Sequence, residues 1–556
     1  MFGIKPMRHS VNLIEQCQTV FDGRVHRAAA GDGAIYDDSN MCADQYPALT
    51  VRPQRDAYAS VVKPNGLLVR DCLAWVDGTT LVVDGVQAAQ ITDSRKIMCG
   101  IQKKICIWPD KVIYDRETGE LIQMEAVWSG EGVFQDGTYA GEFALANTII
   151  LCGDQRTLFR AGDGVTVEEN GTTHGAYVIQ EIAYVEDMDE TLLRFPENTW
   201  EDFVLGEVNT GGEGMEPLPR PGRKVQMTVR RSAPEFEGVF EHHNRLWGWH
   251  GQTIVCSKLG DPTNWQVFDG LSTDSWELVT GSPGGITGGC SYGGRPVFFK
   301  ENEIIKIYGD YPGQFSTSSS GSLGVEAGSG GSLAVAGNTL YYKSITGIMA
   351  YTGGTPWSVA EDFGTVRYRN AVAGSDGVKY YISMEDETGT YCVFTYDTRY
   401  RLWHREDGWK MLAAGFNGKL YAMKEVPSEN YPQGTLLILG SRPAAQDIYE
   451  RNIDSMVEFA DFCDRTTRKK GLEKLLLRLE VDKNTTLNIR VQYDSDGQWH
   501  TVREVQGGMV KGQIEIPLTI RRCDHYRIRL EGHSRGDNGW TLYALTRKRY
   551  TGSNRK

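Results

Sequence analysis

No stretch of about 18 consecutive apolar residues occurs in the sequence, so a bilayer-crossing helix is not expected. The first residues, MFGIKPMRHSVNLIEQC, lack the apolar core of a secretion signal, and assembly in a cytoplasm is expected. The eleven cysteines, Cys17 to Cys523, include no C-x-x-C pair and follow no regular spacing. That argues against a zinc site and a planned disulfide framework and predicts small buried apolar side chains instead. H-E-x-x-H is absent. The Gly-rich phrases GDGVTV and TGGEG lack the strand-to-helix setting of a phosphate loop. Asn170 and Asn484 match the glycosylation pattern, which carries no consequence without a secretory route.

What is present is turn and strand chemistry. The 556 residues include 64 Gly and 26 Tyr, a balance that favours tight turns between half-buried strands and an all-β class. The net charge is −13 and unevenly spread: residues 453–556 carry 20 Lys and Arg against 14 Asp and Glu, so this end is +6 and the remainder −19. An acidic body repels nucleic acid, whereas a basic end suits docking on an acidic neighbour.

Hairpin turns of Gly, Asn or Asp between β-rich runs recur along the chain, because these residues tolerate φ > 0. Seven centres stand out: Asp77-Gly78, Pro109-Asp110, His250-Gly251, Gly293-Gly294, Gly337-Asn338, Asp376-Gly377 and Asn417-Gly418. They are separated by 32, 141, 43, 44, 39 and 41 residues. A repeat near 40 residues predicts an all-β fold built on a β-propeller of six to eight blades, seven by this count, closed by an N-terminal strand. The long interval predicts an inserted small β-barrel at 120–223, leaving 1–119 for the N-terminal strand and first blades and 224–452 for the remaining blades. Its Gly/Pro-rich exit, LGEVNTGGEGMEPLPRPGRKV, reads as an extended linker. Residues 311–333, rich in Ser and Gly, read as a long loop ordered by a partner. After PSENYPQG the pattern changes to clear alternation, which predicts a C-terminal β-sandwich at 453–556, with a short helix or edge strand in RNIDSMVEFADFCD.

Chemistry-bearing clusters are few. Glu241, His242, His243 and His250 form the densest set of metal-ligand types, but neighbouring strand residues point to opposite faces, so His242 and His243 are not expected to share an ion. Gly289-Cys290-Ser291-Tyr292-Gly293 matches G-x-S-x-G, yet the following GRPVFF reads as a strand rather than the helix a nucleophile elbow needs. YDSDGQW, Tyr493 to Trp499, resembles part of an Asp-box or calcium loop and reads as an Asp-Gly hairpin. No pair of carboxylates is marked out for glycoside hydrolysis. Trp247, Trp249, Trp265, Trp276, Trp357, Trp403 and Trp409 fall at blade positions and are expected to pack between sheets, although exposed ones would stack on sugars. The tail TRKRYTGSNRK is basic and suits phosphate contact or a neighbouring subunit, against a simple frayed end. No catalytic, cofactor or metal site is expected.

Three phrases carry a resemblance: EHHNRLWGWHGQTIVCSKLGDPTNW, PVFFKENEIIKIYGDYP and KYYISMEDETGTYCVFTYDTRYRLWHRED. They resemble a family of tailed-bacteriophage structural proteins, the β-propellers of the tail hub or nozzle. SRKIMCGIQKKICIWPDKVIYDRETGE and IPLTIRRCDHYRIRLEG extend the likeness to most of the chain beyond the first 50 residues. The resemblance implies a non-enzymatic virion protein in the tail, a homo-oligomeric ring on the DNA path that joins other phage tail proteins on the portal or adaptor side and on the fibre or baseplate side. A receptor-directed tail-tip propeller that binds or hydrolyses host polysaccharide is the competing expectation.

Overall fold

The computed structural model describes residues 12–27, 30–135, 147–169, 171–196, 223–425, 434–440, 450, 452–466, 468–508, 511–535 and 538–551. Apart from four short 3₁₀ turns, every regular element among them is a strand. No helix is long and apolar enough to cross a membrane among the described residues. Residues 205–222 of the expected linker, 427–433 of PSENYPQG, Asn170 and the tail residues 552–556 lie outside the described residues. The protein is an all-β chain built on a β-propeller: seven four-stranded antiparallel sheets are present among the described residues. Blades 1 to 6 take consecutive strands within residues 64–90, 97–123, 238–279, 288–320, 334–358 and 369–405. Blade 7 takes three strands within 411–439 and completes itself with Asp56–Val61, which pairs with Gly434–Leu439. That N-terminal strand gives the last sheet its fourth member and covers an otherwise open edge.

Two compact units divide the chain, residues 74–324 and residues 1–73 with 325–556. In the first unit, Trp108, Phe236, Leu246 and Trp265 join in one core cluster, and Trp247, Trp249, Ile254 and Phe298 form another. Turn chemistry explains the strand register. Gly293 and Gly294 connect Gly288–Tyr292 to Arg295–Lys300 with φ of 61° and 73°, the two positive values a tight hairpin of this kind requires. His243 and Asn244 do the same at 49° and 58° with no glycine.

The insert is a single seven-stranded antiparallel sheet spanning 126–231, around a core that includes Phe134, Ile149, Phe159, Val167, Leu193 and Val229. Two expected boundaries move. Leu121–Gln123 is the fourth strand of blade 2, so the insert starts after 120, and Arg223–Arg231 is an interior strand between Gly164–Glu169 and Ala126–Gln135, so it ends after 223. The expected barrel has an open hydrogen-bonded order among the described residues, with Thr172–Val178 and Glu181–Val185 at the two ends.

In the second unit the sandwich is larger than 453–556. A seven-stranded and a five-stranded sheet enclose Phe459, Leu475, Leu477, Ile489, Ile528, Trp540 and Leu545. Asn12–Gln18 pairs with Trp540–Thr551, Ile35–Ser39 with Asn452–Phe459, and Leu49–Val51 with Trp540–Thr551. Of residues 1–119, assigned to the N-terminal strand and first blades, those up to Val51 thus belong to the sandwich, Asp56–Val61 completes blade 7, and the rest supply blades 1 and 2. Asn452–Phe459 is an interior strand, neither a helix nor an edge. Part of the tail, up to Thr551, is strand.

One further expectation changes on inspection of a single element. The Ser/Gly-rich segment supplies Ser316–Ser320, the fourth strand of blade 4, all of whose side chains are exposed. Its backbone pairs with Glu303–Tyr308 without needing an apolar face. All eleven cysteines are free thiols, and Cys42, Cys72, Cys99, Cys106, Cys256 and Cys523 are buried.

Between the N-terminal strands runs a lattice of buried charge. Arg52 forks onto Glu450 at 2.7 and 2.8 Å and donates from Nε to Asn40 at 2.8 Å. Arg55 bonds Glu406 at 2.6 Å and Asp407 at 2.9 Å, and its guanidinium lies 5.4 Å from the Trp409 ring centre. Asp38, fully buried, receives His404 at 2.6 Å and the Arg405 backbone N–H at 3.0 Å, while Arg24 bonds Asp37 at 3.1 Å. Burial raises the Glu450 carboxyl, but the Arg52 and Arg55 guanidiniums outweigh it and hold the group below its usual range. Asp407 is held low in the same way, chiefly by Arg55 against burial. Its side chain is 38% exposed, so solvent screens its share.

Two outcomes are expected. Joining Glu125 to Ser232 by a short linker removes a sheet whose ends, Ala126 and Arg231, are paired neighbours. The shortened chain should keep a β-rich circular dichroism spectrum and a cooperative melt, and loss of both would contradict this domain map. Arg55→Ala should lower stability by about 3 kcal/mol at pH 7, since it takes from the buried Glu406 its closest cation. Because Asp407 and Glu450 have depressed folded values, their share of the stabilisation is full above their unfolded value of about 4 and fades as pH falls through the folded value. In calorimetry across pH 3–8 the gap between wild type and variant should therefore narrow only at the acid end; a pH-independent gap would count against it.

Candidate functional site

Glu241–His250 lies in blade 3 and does not converge. His242 ends the strand Gly238–His242, and His243 begins the turn. The alternation rule for adjacent strand residues does not apply across that turn, and the two rings stack at 3.9 Å. Glu241 Oε1 accepts the Asn244 backbone N–H at 2.7 Å. His250 sits at the far end of Arg245–His250, about 17 Å along the strand.

Sequence reading finds no partner for Ser291, yet the structure supplies one: His242 Nδ1 and Ser291 Oγ share a 2.8 Å hydrogen bond. Burial, and then the neighbouring His243, push His242 down to about 4. A ring so reluctant to protonate is a weak proton acceptor near neutrality. Ser291 lies within the strand Gly288–Tyr292, opposite Pro296, and not on an elbow. The pair is best understood as a side-chain link between the first strands of blades 3 and 4.

YDSDGQW connects Thr485–Tyr493 to His500–Gln506 as a hairpin, with Asp494 and Ser495 at φ of 50°. Asp494, Asp524 and His525 bring ligand atoms within 4.8 Å of one another. Both nitrogens of His525 are already engaged, Nδ1 by Asp524 and Nε2 by Ser495 at 2.8 Å. Hydrogen bonding to Asp494, and then to the His525 ring, holds the exposed Asp524 carboxyl below its usual range. The arrangement is a self-satisfied turn.

Of the seven blade tryptophans, Trp247, Trp249, Trp265, Trp403 and Trp409 are buried as blade packing predicts. Trp276 is half-buried and Trp357 is 46% exposed.

At one end of the sandwich exposed cations sit beside acidic groups, among them Asp494, Asp496 and Asp524. Lys470 pairs with Cys523 and Gly471 with Arg522, which brings the loop before Lys470 beside the loop before Cys523. Arg465, Arg468, Lys469, Arg521 and Arg522 are all exposed there, with Ile520 50% exposed among them. Arg521 lies 3.5 Å from Asp496 and 5.3 Å from the Tyr493 ring centre. The strand register that brings the two loops together was not legible in the sequence.

No family model matches the chain, and no curated protein matches it. Among solved structures, the WD40 repeats of RRP9 are 7% identical and cover 69% of this chain and 99% of their own, with a TM-score of 0.32. U3-55K is 7% identical, covering 69% and 98%, with a TM-score of 0.28. An exo-beta-1,3-galactanase from Phanerochaete chrysosporium is 8% identical, covering 56% and 95%, with a TM-score of 0.21. Values this low say nothing about activity, and the propeller assignment rests on the seven four-stranded sheets.

Proposed function

We propose that this chain is an architectural protein of a tailed bacteriophage, several copies of which form a closed ring in the tail and join the components above and below it. One observation carries the reading: the phrases that resemble tail-hub propellers fall on blade strands. NRLWGWHGQTIVC spans two strands of blade 3, PVFFKENEIIKIYG two strands of blade 4, and KYYISMEDETGTYCVFTYDTRYRLWHR three strands of blade 6. In this reading the resemblance marks repeated structural units and not a lone motif.

Physical properties support it. Heterologous contacts that close on themselves make rings, and the basic end of the sandwich offers each copy a surface for an acidic neighbour. Residues 52–452, the propeller and its insert, carry −17, which permits DNA to pass without being gripped. The Ser291–His242 pair lacks the basicity that hydrolysis would ask of it.

Truncating at Ile453 would remove partners of the N-terminal strands, so a charge test is cleaner. Reversing the exposed Arg468 and Lys469 to Glu should leave circular dichroism and melting unchanged while mass spectrometry of purified particles finds the chain depleted at least tenfold. Wild-type chain missing from the particles would sink the architectural reading, and full incorporation of the variant would remove this surface from it.

A further inference from the structure

Trp357 is the only tryptophan in the exposed class among the described residues. It stands on the two-residue outer strand Trp357–Ser358 of blade 5, opposite Ala350. Its indole borders a cleft of about 640 Å³, within the size range of small-molecule sites, lined also by Tyr341, Glu361, Asp362, Tyr396 and Arg401. The other lining rings are nearly buried and hold the wall rigid, Tyr341 and Tyr396 5.6 Å apart between ring centres and Tyr396 and Trp403 4.7 Å apart, so Trp357 supplies the exposed aromatic face.

The polar groups come from two fixed turns. Glu361 and Asp362 sit on the 3₁₀ turn Glu361–Phe363, which Phe363 anchors in the core against Phe394 at 4.7 Å and Trp403 at 4.9 Å. Asp362 is held from behind by Arg27, whose Nε lies 3.1 Å away. Arg401 projects from the turn after Tyr391–Asp397, its backbone N–H donating to the Asp397 carbonyl at 2.8 Å. Burial, and then Tyr341, push the Tyr396 hydroxyl up to about 12, so it stays a neutral donor and acceptor.

We infer that this cleft binds a neutral hexose unit of a polysaccharide. A pyranose ring offers an apolar C–H face for an exposed indole and hydroxyls that both donate and accept. Carboxylates accept from them while the guanidinium donates. A phosphate-bearing ligand would meet Glu361 and Asp362 with like charge. The site binds without cleaving, because adjacent carboxylates on one turn do not flank a glycosidic bond across a cleft. This inference stands apart from the ring reading, since a tail protein and a free lectin would both use such a cleft.

Isothermal titration of the full chain with maltohexaose, cellohexaose and mannohexaose tests it. At least one should bind with a Kd of about 0.1–1 mM, equivalent to about 4–5.5 kcal/mol. Trp357→Ala should weaken that binding at least tenfold, Trp357→Phe should retain part of it, and Glu361→Gln should weaken it about fivefold, all with unchanged melting temperature. No binding of any of the three to wild type at 10 mM, or equal binding by Trp357→Ala, would overturn the inference.

Discussion

Arg52 and Arg55 hold one end of the chain to residues some 350 to 400 positions away, and the second unit is organised around that grip. The segment from Arg24 to Val61 first adds strands to the sandwich, then lays its charged side chains against blade 6, then supplies the last strand of blade 7. Burying guanidiniums and carboxylates is costly unless each is paired and bonded. Here the pairs interlock: Glu450 takes Arg52 in a fork and the Arg55 backbone N–H at 3.1 Å, while Glu406 takes Arg55 and the Thr395 hydroxyl at 3.0 Å. Such a lattice specifies one seating for the segment, because a shift by a residue would leave charges buried and unpaired.

The seating determines which edges remain. Without Asp56–Val61 the strand Gly434–Leu439 would present an open row of backbone donors and acceptors. The sandwich likewise uses Asn12–Gln18 and Ile35–Ser39 to extend both of its sheets. One stretch of chain therefore serves two sheet systems, and its removal would damage both. In the other unit the insert enters and leaves through paired neighbours in adjacent strands, so its sheet is added without interrupting the blades on either side.

Much of this was legible locally. The seven turn centres fall in seven different sheets; six of them hold a glycine at positive φ, and at Pro109-Asp110 the positive φ falls on the next residue, Lys111. They do not mark equivalent places. The first three join the second and third strands of their blades, and the last four join the first and second. Blade 3 also holds a long segment between Thr253–Cys256 and Trp276–Val279, so even spacing concealed the shift. The His243-Asn244 turn escaped notice because it contains no glycine, and with it the stacked His rings and the His242–Ser291 bond. Ser316–Ser320 read as loop because an edge strand exposed on both faces has no alternation to detect. Sandwich strands near the N-terminus were invisible for a different reason: their partners lie about 420 to 540 residues away, and nothing in their own short sequences names those partners.

Cryo-electron microscopy of particles from the producing lysate, with this chain located by fitting, tests the central claim most directly. The account predicts symmetric density on the tail axis, built from several copies, with the basic end of each sandwich against a neighbouring subunit. Density confined to peripheral spikes, or absent from the particle, would contradict it.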